Sequence, residues 1–342
     1  MKRIALFTAL IFCFTILFAQ AQLPVADKVK FFENDTTVDA TLAIDIGKLL
    51  STRVKPEYLP ASFTCKIQDS SITEKIKVIA RGVMRRQICY MPPLKLDFHT
   101  DSLSYLYKLG SLKLVSSCNP TDLYDQLLLK EYLIYKIYNL ITEKSFRVRL
   151  LNLNYEDSRG KRKTISKHAF LIEDVKDLAK RNGCKALKDL KINGQSANRN
   201  QYTIFAVFEY FIGNTDWGVS ANHNTALILP NNDSTALPFV IPFDFDYSGL
   251  VNADYAVPNE GLDITNVRQR LYRGYPRTMD ELNDAFLIFN QQKEKIYALV
   301  NNFELLSARN RKDITGYLDD FYETISDPRK VKDVFIDKAR KQ

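Results

Sequence analysis

The side chains with the clearest chemical potential lie between Asp216 and Asp246. An apolar run over 205–212 ends at Gly213-Asn214-Thr215, which breaks the helical pattern and exposes Asp216. Asn222 and Asn224 follow in the same polar loop, and Asp244-Phe245-Asp246 comes directly after a second apolar run. Acids at i and i+2 point the same way on an extended chain. Packed among Phe243, Phe245 and Tyr247, they need a cation or hydrogen bonds to offset desolvation. Carboxylates with an amide oxygen are hard donors, suited to Mg²⁺ or Mn²⁺ shared with substrate phosphates. Singly, each residue has a plainer reading, because Asp and Asn are common turn formers. Their order is what points to a metal–phosphate site.

Phosphoryl chemistry also needs a protein cation on the phosphates and a group to position it. Lys95, central in a strand pattern over 94–98, is one candidate, and Glu131 on a long helical pattern is its candidate partner. The plain alternatives are an outward strand lysine and an exposed helix carboxylate. A nucleophilic hydrolase fits less well: there is no G-x-S-x-G, and His99, His168 and His223 have no evident Ser or Cys partner. A two-carboxylate glycosidase could use Asp216 and Asp244, but it leaves the Asn and Lys positions unexplained.

The elements that must position these residues follow from periodicity. Alternation predicts strands at 41–44, 63–67, 76–80 and 94–98, then at 146–154 and 168–173. The run over 123–141 predicts a helix capped by Thr121 or Asp122, apolar around much of its circumference and therefore buried between layers. Beyond 173 the pattern is mainly helical (174–181, 199–213, 279–302 and about 311–325). A hairpin over 225–240, turning at 230–233, interrupts it. A β-rich first half with one large helix and a helical second half predicts an α+β chain of two lobes.

The chain has 342 residues, 46% of them hydrophobic and 26% charged, which is ordinary for a globular protein that buries a core. Met1-Lys2-Arg3, an apolar stretch over 4–19 and Ala19-Gln20-Ala21 form a secretory leader pattern, with Gln22 the expected first mature residue. No later stretch approaches 18 apolar residues, so no further membrane span is expected. Losing Lys2 and Arg3 lowers the formal charge from +8 to +6, and the remaining excess is scattered. It lacks interleaved aromatics on a nucleic-acid module, and export argues against nucleic acid as a partner. Cys65, Cys89, Cys118 and Cys184 remain, an even number that permits disulfides in an exported chain. Cys89–Cys118 is the favoured pair, a bridge typically worth ~2–4 kcal/mol.

The order strand Lys, helix Glu, loop Asp, Asn and post-strand Asp resembles protein kinases. More specifically, Ala80-Arg81-Gly82, Pro92-Pro93-Leu94-Lys95-Leu96, Asn214-Thr215-Asp216-Trp217 and Pro242-Phe243-Asp244-Phe245-Asp246 resemble the secreted CotH-like kinases. The stretches AFLIED…LAKR (169–174 and 178–181) and VRQRLYRG (267–274) are similar to a group of uncharacterised exported bacterial proteins. The resemblance spans roughly 60–280 and implies a bilobal protein-kinase-like fold, with leader 1–21, N-terminal lobe 22–173 and C-terminal lobe 174–342. It further implies ATP with Mg²⁺ or Mn²⁺, and phosphate transfer to a protein or other surface hydroxyl outside the inner membrane. Lys95 would contact the nucleotide and Glu131 would hold Lys95, while Arg81, with Arg85 and Arg86, would stand in for phosphate-loop amides. Asp216 would orient or deprotonate the acceptor, and Asp244, Asn224 (or Asn222) and Asp246 would serve the metal. The chain departs from the kinase pattern in lacking a G-x-G-x-x-G loop and a His-Arg before Asp216, and in the eight-residue step from Asp216 to Asn224. A catalytically inactive binding or surface-assembly protein is therefore the alternative.

Overall fold

The structure is a computed structural model that describes residues 28–67 and 70–340; the expected leader lies outside the described residues. Seven strands form one sheet: β1 (Val38–Ile44), β2 (Leu59–Ile67), β3 (Ser70–Ala80), β4 (Leu94–Asp97), β5 (Ser111–Ser116), β6 (Val148–Asp157) and β7 (Ile165–Ile172). Helices α1 (Lys28–Glu33), α2 (Ile46–Ser51), α3 (Met84–Ile88) and α4 (Asp122–Ile141) lie among them in the chain. Then come α5 (Val175–Arg181), β8 (Cys184–Leu187), α6 (Arg199–Ile212), β9 (Thr225–Pro230), β10 (Phe239–Pro242), α7 (Met279–Asn301) and α8 (Ala308–Ser326).

The bilobal protein-kinase-like fold expected from the sequence is not what the chain adopts. The seven strands close into a barrel in the order β1-β2-β3-β4-β5-β7-β6, and a separate sheet β10-β9-β8 stands beside it among the helices. Closure comes from β1, which runs antiparallel to β2 on one side and parallel to β6 on the other, Val38 facing Leu151 and Ile44 facing Asp157. A closed sheet leaves no unpaired edge. Period-two patterns identify strands one at a time, whereas closure depends on a pairing between segments more than 100 residues apart, which no local pattern encodes.

Strand alternation fills the barrel. Leu42, Phe63, Val78, Leu94, Leu96, Leu112, Leu114, Leu151 and Leu153 point inward as one buried cluster, and Phe63 meets Phe98 edge to face at 5.5 Å. The residues between them, Lys95 and Lys113 among them, point outward. A second core contains α4, α6, α7, α8 and the small sheet. Helix α4 buries most of its circumference, Tyr138 stacking on Phe208 at 4.1 Å and Tyr135 meeting Phe245 at 4.7 Å. Cys89 and Cys118 form a disulfide, while Cys65 and Cys184 are free and buried. Among the described residues no helix is long and apolar enough to cross a membrane.

Candidate functional site

Because leucines 94, 96, 112 and 114 face the barrel interior, Lys95 and Lys113 are forced onto its outer wall, directly opposite each other in the β4–β5 register. Arg81, just past the end of β3, joins them. These three cations line one side of a cleft of about 340 Å³; Phe146, Ile172, Leu187, Leu227 and Phe243 supply apolar surface, and Glu173, Asp174, Asp189 and Asn222 are also at its rim. Like charges placed opposite each other across a ladder are destabilising by themselves. Lys113 Nζ lies 4.4 Å over the Phe243 ring. Burial, then the charge of Arg81, pulls the Lys113 ammonium below its ordinary pKa, with Asp244 acting the other way. Arg81 is lowered by burial and supported by Asp244 in turn.

The acid side of the site is built at the ends of α6 and β10. Gly213, left-handed at φ 66°, ends α6 and turns the chain into the Asp216 loop, and its N–H reaches back to the last helical turn. The Asn214 side chain accepts from the Asp216 N–H at 3.0 Å. Asp216 Oδ1 lies 2.9 Å from His223 Nε2 and accepts from Asn259 at 3.3 Å; Oδ2 accepts from the Asn224 amide at 3.0 Å. Phe243 N–H donates to the Asn224 carbonyl, which brings Asn224 beside Asp244. The Asp244 backbone N–H donates to Tyr135 Oη at 2.9 Å, while its half-buried carboxylate makes no hydrogen bond or ion pair among the described residues. Asn222, Asn224, Asp244 and Asp189 all have positive φ, four of the five such non-glycine residues described, and all four border this cleft or its acids. Such strain tends to gather where a site dictates the backbone.

Asp246 is committed elsewhere. Arg85 Nη1 is 3.1 Å from its Oδ2, and Tyr255 Oη donates to the same oxygen at 3.1 Å. Glu131, fully buried on α4, adjoins this cluster; desolvation, then the charges of Asp246 and Asp244, raise its pKa well above the usual range. Burial and Asp244 likewise raise Asp246, to about 6, despite Arg85. Burial opposes the Arg85 charge, but Asp246 more than offsets it and the guanidinium stays firmly cationic. Glu131 thus sits with Arg85 rather than Lys95, and no Lys95–Glu131 ion pair exists among the described residues. The disulfide end Cys89 immediately follows α3, which carries Arg85, so the bridge ties that segment to the end of β5.

Among the described residues no three or more His, Cys, Asp and Glu side chains cluster as a metal cage. Mg²⁺ and Mn²⁺ shared with phosphates need only one or two protein carboxylates, and the Asp244 carboxylate, with Asn224 beside it, is a donor of that kind. Asp246, held by Arg85, does not.

The two longer sequence motifs act as staples. Glu173 and Arg181, from AFLIED…LAKR, form a buried pair at 2.9 Å where the barrel meets α5. In VRQRLYRG, Arg268 pairs with Asp313 at 3.0 Å, Arg270 donates to the Tyr210 and Phe211 carbonyls at the end of α6, and Arg273 donates to the Thr215 and Trp217 carbonyls. Sequence reasoning missed Lys113, whose SLKLVS alternation mirrors that of β4, and also His223, Asn259 and Arg273 as neighbours of Asp216. The chain matches no known family model, and a search of curated proteins gives no significant match.

Proposed function

We propose that this chain is an exported phosphotransferase, resembling the CotH-like kinases in its motifs, that transfers phosphate from ATP to a hydroxyl on a protein or another surface molecule. The observation that carries the reading is the gathering of Arg81, Lys95 and Lys113 on one cleft, with the Asp244 carboxylate close enough to act on both Arg81 and Lys113 yet in no ion pair among the described residues. Three cations concentrated on one wall favour a polyanion, and a carboxylate near them without an ion-pair partner favours a cation bound along with it. The apolar rim formed by Leu187, Leu227 and Phe146 suits the base of a nucleotide.

In this reading Arg81, Lys95 and Lys113 bind the phosphates. Asp244 and Asn224 would hold Mg²⁺ or Mn²⁺, which supplies charge neutralisation on the phosphate oxygens when bound. Asp216 orients the acceptor hydroxyl and takes its proton, with His223, Asn224 and Asn259 fixing the carboxylate's direction. Glu131 and Arg85 act one layer behind, keeping Asp246 and the chain at Phe245 in place. Such a site works by positioning and electrostatics. The Cys89–Cys118 bridge supports a periplasmic or extracellular location, where disulfides persist.

A catalytically inactive binding or surface-assembly protein is the second reading, favoured by the engagement of both Asp216 oxygens and by the absence of a glycine-rich phosphate loop. Thermal unfolding with ATP and Mn²⁺ tests the site common to both. ATP with Mn²⁺ should raise the transition of the parent and leave Asp244→Ala unmoved; no shift in the parent at millimolar nucleotide would sink the proposal.

A further inference from the structure

The Asp216 loop is short, polar and attached to the end of one helix, so something must fix it at the cleft. Arg273 is placed to do this from the other side. Its Nη1 donates to the carbonyl of Thr215 at 2.5 Å and to that of Trp217 at 2.6 Å, the two peptide oxygens that flank Asp216. Its guanidinium lies 5.0 Å from the Trp217 ring, and Trp217 in turn packs edge to face on Phe205 of α6 at 4.8 Å.

The arginine is itself held. A Cβ on the next residue, Gly274, would come within 2.8 Å of Ala206 Cβ, so only glycine lets this segment lie against α6. The Gly274 carbonyl accepts from the Arg340 N–H at 2.9 Å, which pins the segment to the C-terminal end of the described chain. Three residues before Arg273, the chain is anchored where Arg270 donates to the Tyr210 and Phe211 carbonyls on the final turn of α6. Buried Glu209, one turn from the end of α6, lies near Arg273.

We infer that Arg273 is a positioning residue for Asp216, clamping the carbonyls on either side of the acid so that its carboxylate faces the cleft in one orientation. The inference rests on the phosphotransfer reading for its effect on turnover, but the clamp can be tested apart from it. One guanidinium nitrogen holds both carbonyls while the planar group stacks on Trp217. Lysine carries the charge without that planar geometry.

The test compares Arg273→Lys and Arg273→Gln with the parent, reading ADP formation with Mn²⁺ and ATP alongside amide hydrogen exchange. In both variants, kcat should fall about 100-fold, the scale of a 1 Å misplacement, while KM for ATP stays within about threefold. Exchange over 213–218 should quicken by about tenfold or more, with the barrel strands and α4 unchanged. Added guanidinium should restore part of the turnover of Arg273→Gln. Unchanged exchange over 213–218 in both variants would overturn the clamp, as would kcat falling only in step with a molecule-wide rise in exchange. A parent that neither binds ATP nor forms ADP would defeat the phosphotransfer reading and with it the effect on turnover, while the exchange data would still decide whether Arg273 holds the loop.

Discussion

Replacing Arg85 by Met should expose how tightly the acids behind the cleft depend on one guanidinium. Arg85 is the ion-pair partner of Asp246 at 3.1 Å, and the two side chains are only 23% and 9% exposed. Arg85 also donates to the Ser116 carbonyl at 3.2 Å. The methionine preserves much of the aliphatic packing but leaves Asp246 with only the Tyr255 hydroxyl, close to buried Glu131. Removing one member of a buried pair typically costs ~3–5 kcal/mol, and the residual exposure of Arg85 places the expectation near the lower end. The pH dependence has a definite sign. Asp246 titrates near 6 in the folded chain, above its ordinary value of 3.8, so its contribution to stability falls as pH rises through that interval. Without Arg85 the folded pKa rises further, which extends the loss to higher pH. Urea unfolding should therefore show Arg85→Met destabilised by ~3 kcal/mol at pH 8 and by clearly less at pH 5, where Asp246 is largely protonated in both proteins. Combining it with Asp246→Asn should recover at least ~1 kcal/mol in a double-mutant cycle. Strict additivity at pH 8, or an equal cost at both pH values, would refute the reasoning.

Two other substitutions bear on the acids of the site. Asp216→Asn should lower phosphate transfer by ~10²–10⁴ while leaving the unfolding transition close to the parent's; parent-like turnover in a steady-state ADP assay would remove Asp216 from its role. Glu209 is buried beside the Asn214 side chain, and desolvation raises its pKa well above 4.5 despite that neighbour. Its folded state therefore holds a proton that the unfolded chain releases, and stability falls as pH rises above 4.5. Glu209→Gln cannot ionise, so it should gain on the parent by up to about 1.4 kcal/mol per pH unit over that range. Parallel stability–pH curves from chemical denaturation would contradict this.

The elements themselves were largely legible. Alternation located β1 to β4, β6 and β7, and helical periodicity located α4 to α8, because each depends on which face of a local segment meets the core. The α8 pattern was read from 311, whereas Ser307 caps a helix that begins at Ala308. Strand β5 was missed although SLKLVS alternates cleanly, and with it went Lys113. The barrel could not be read, because β1 must find β6 across more than 100 residues. The site was legible only where neighbours are close in sequence. Asp216, Asn224 and Asp244 are brought together by one hairpin, and the Cys89–Cys118 bridge lies beside Arg85 and Asp246. Partners supplied by distant segments were mistaken or missed: Arg85 rather than Lys95 accompanies Glu131, and Arg273 reaches the Asp216 loop from 57 positions downstream. Both arginines lie in polar stretches whose local pattern reads as solvated surface.

A cationic wall beside the unpaired Asp244 carboxylate should bind ATP together with a divalent cation, which calorimetric titration reads most directly. Binding to the parent should require Mn²⁺ or Mg²⁺, disappear in EDTA, and weaken at least about tenfold in Arg81→Ala and in Asp244→Ala, the scale of one lost charged contact. ATP binding of equal strength with and without the cation, or parent-like affinity in both variants, would contradict it.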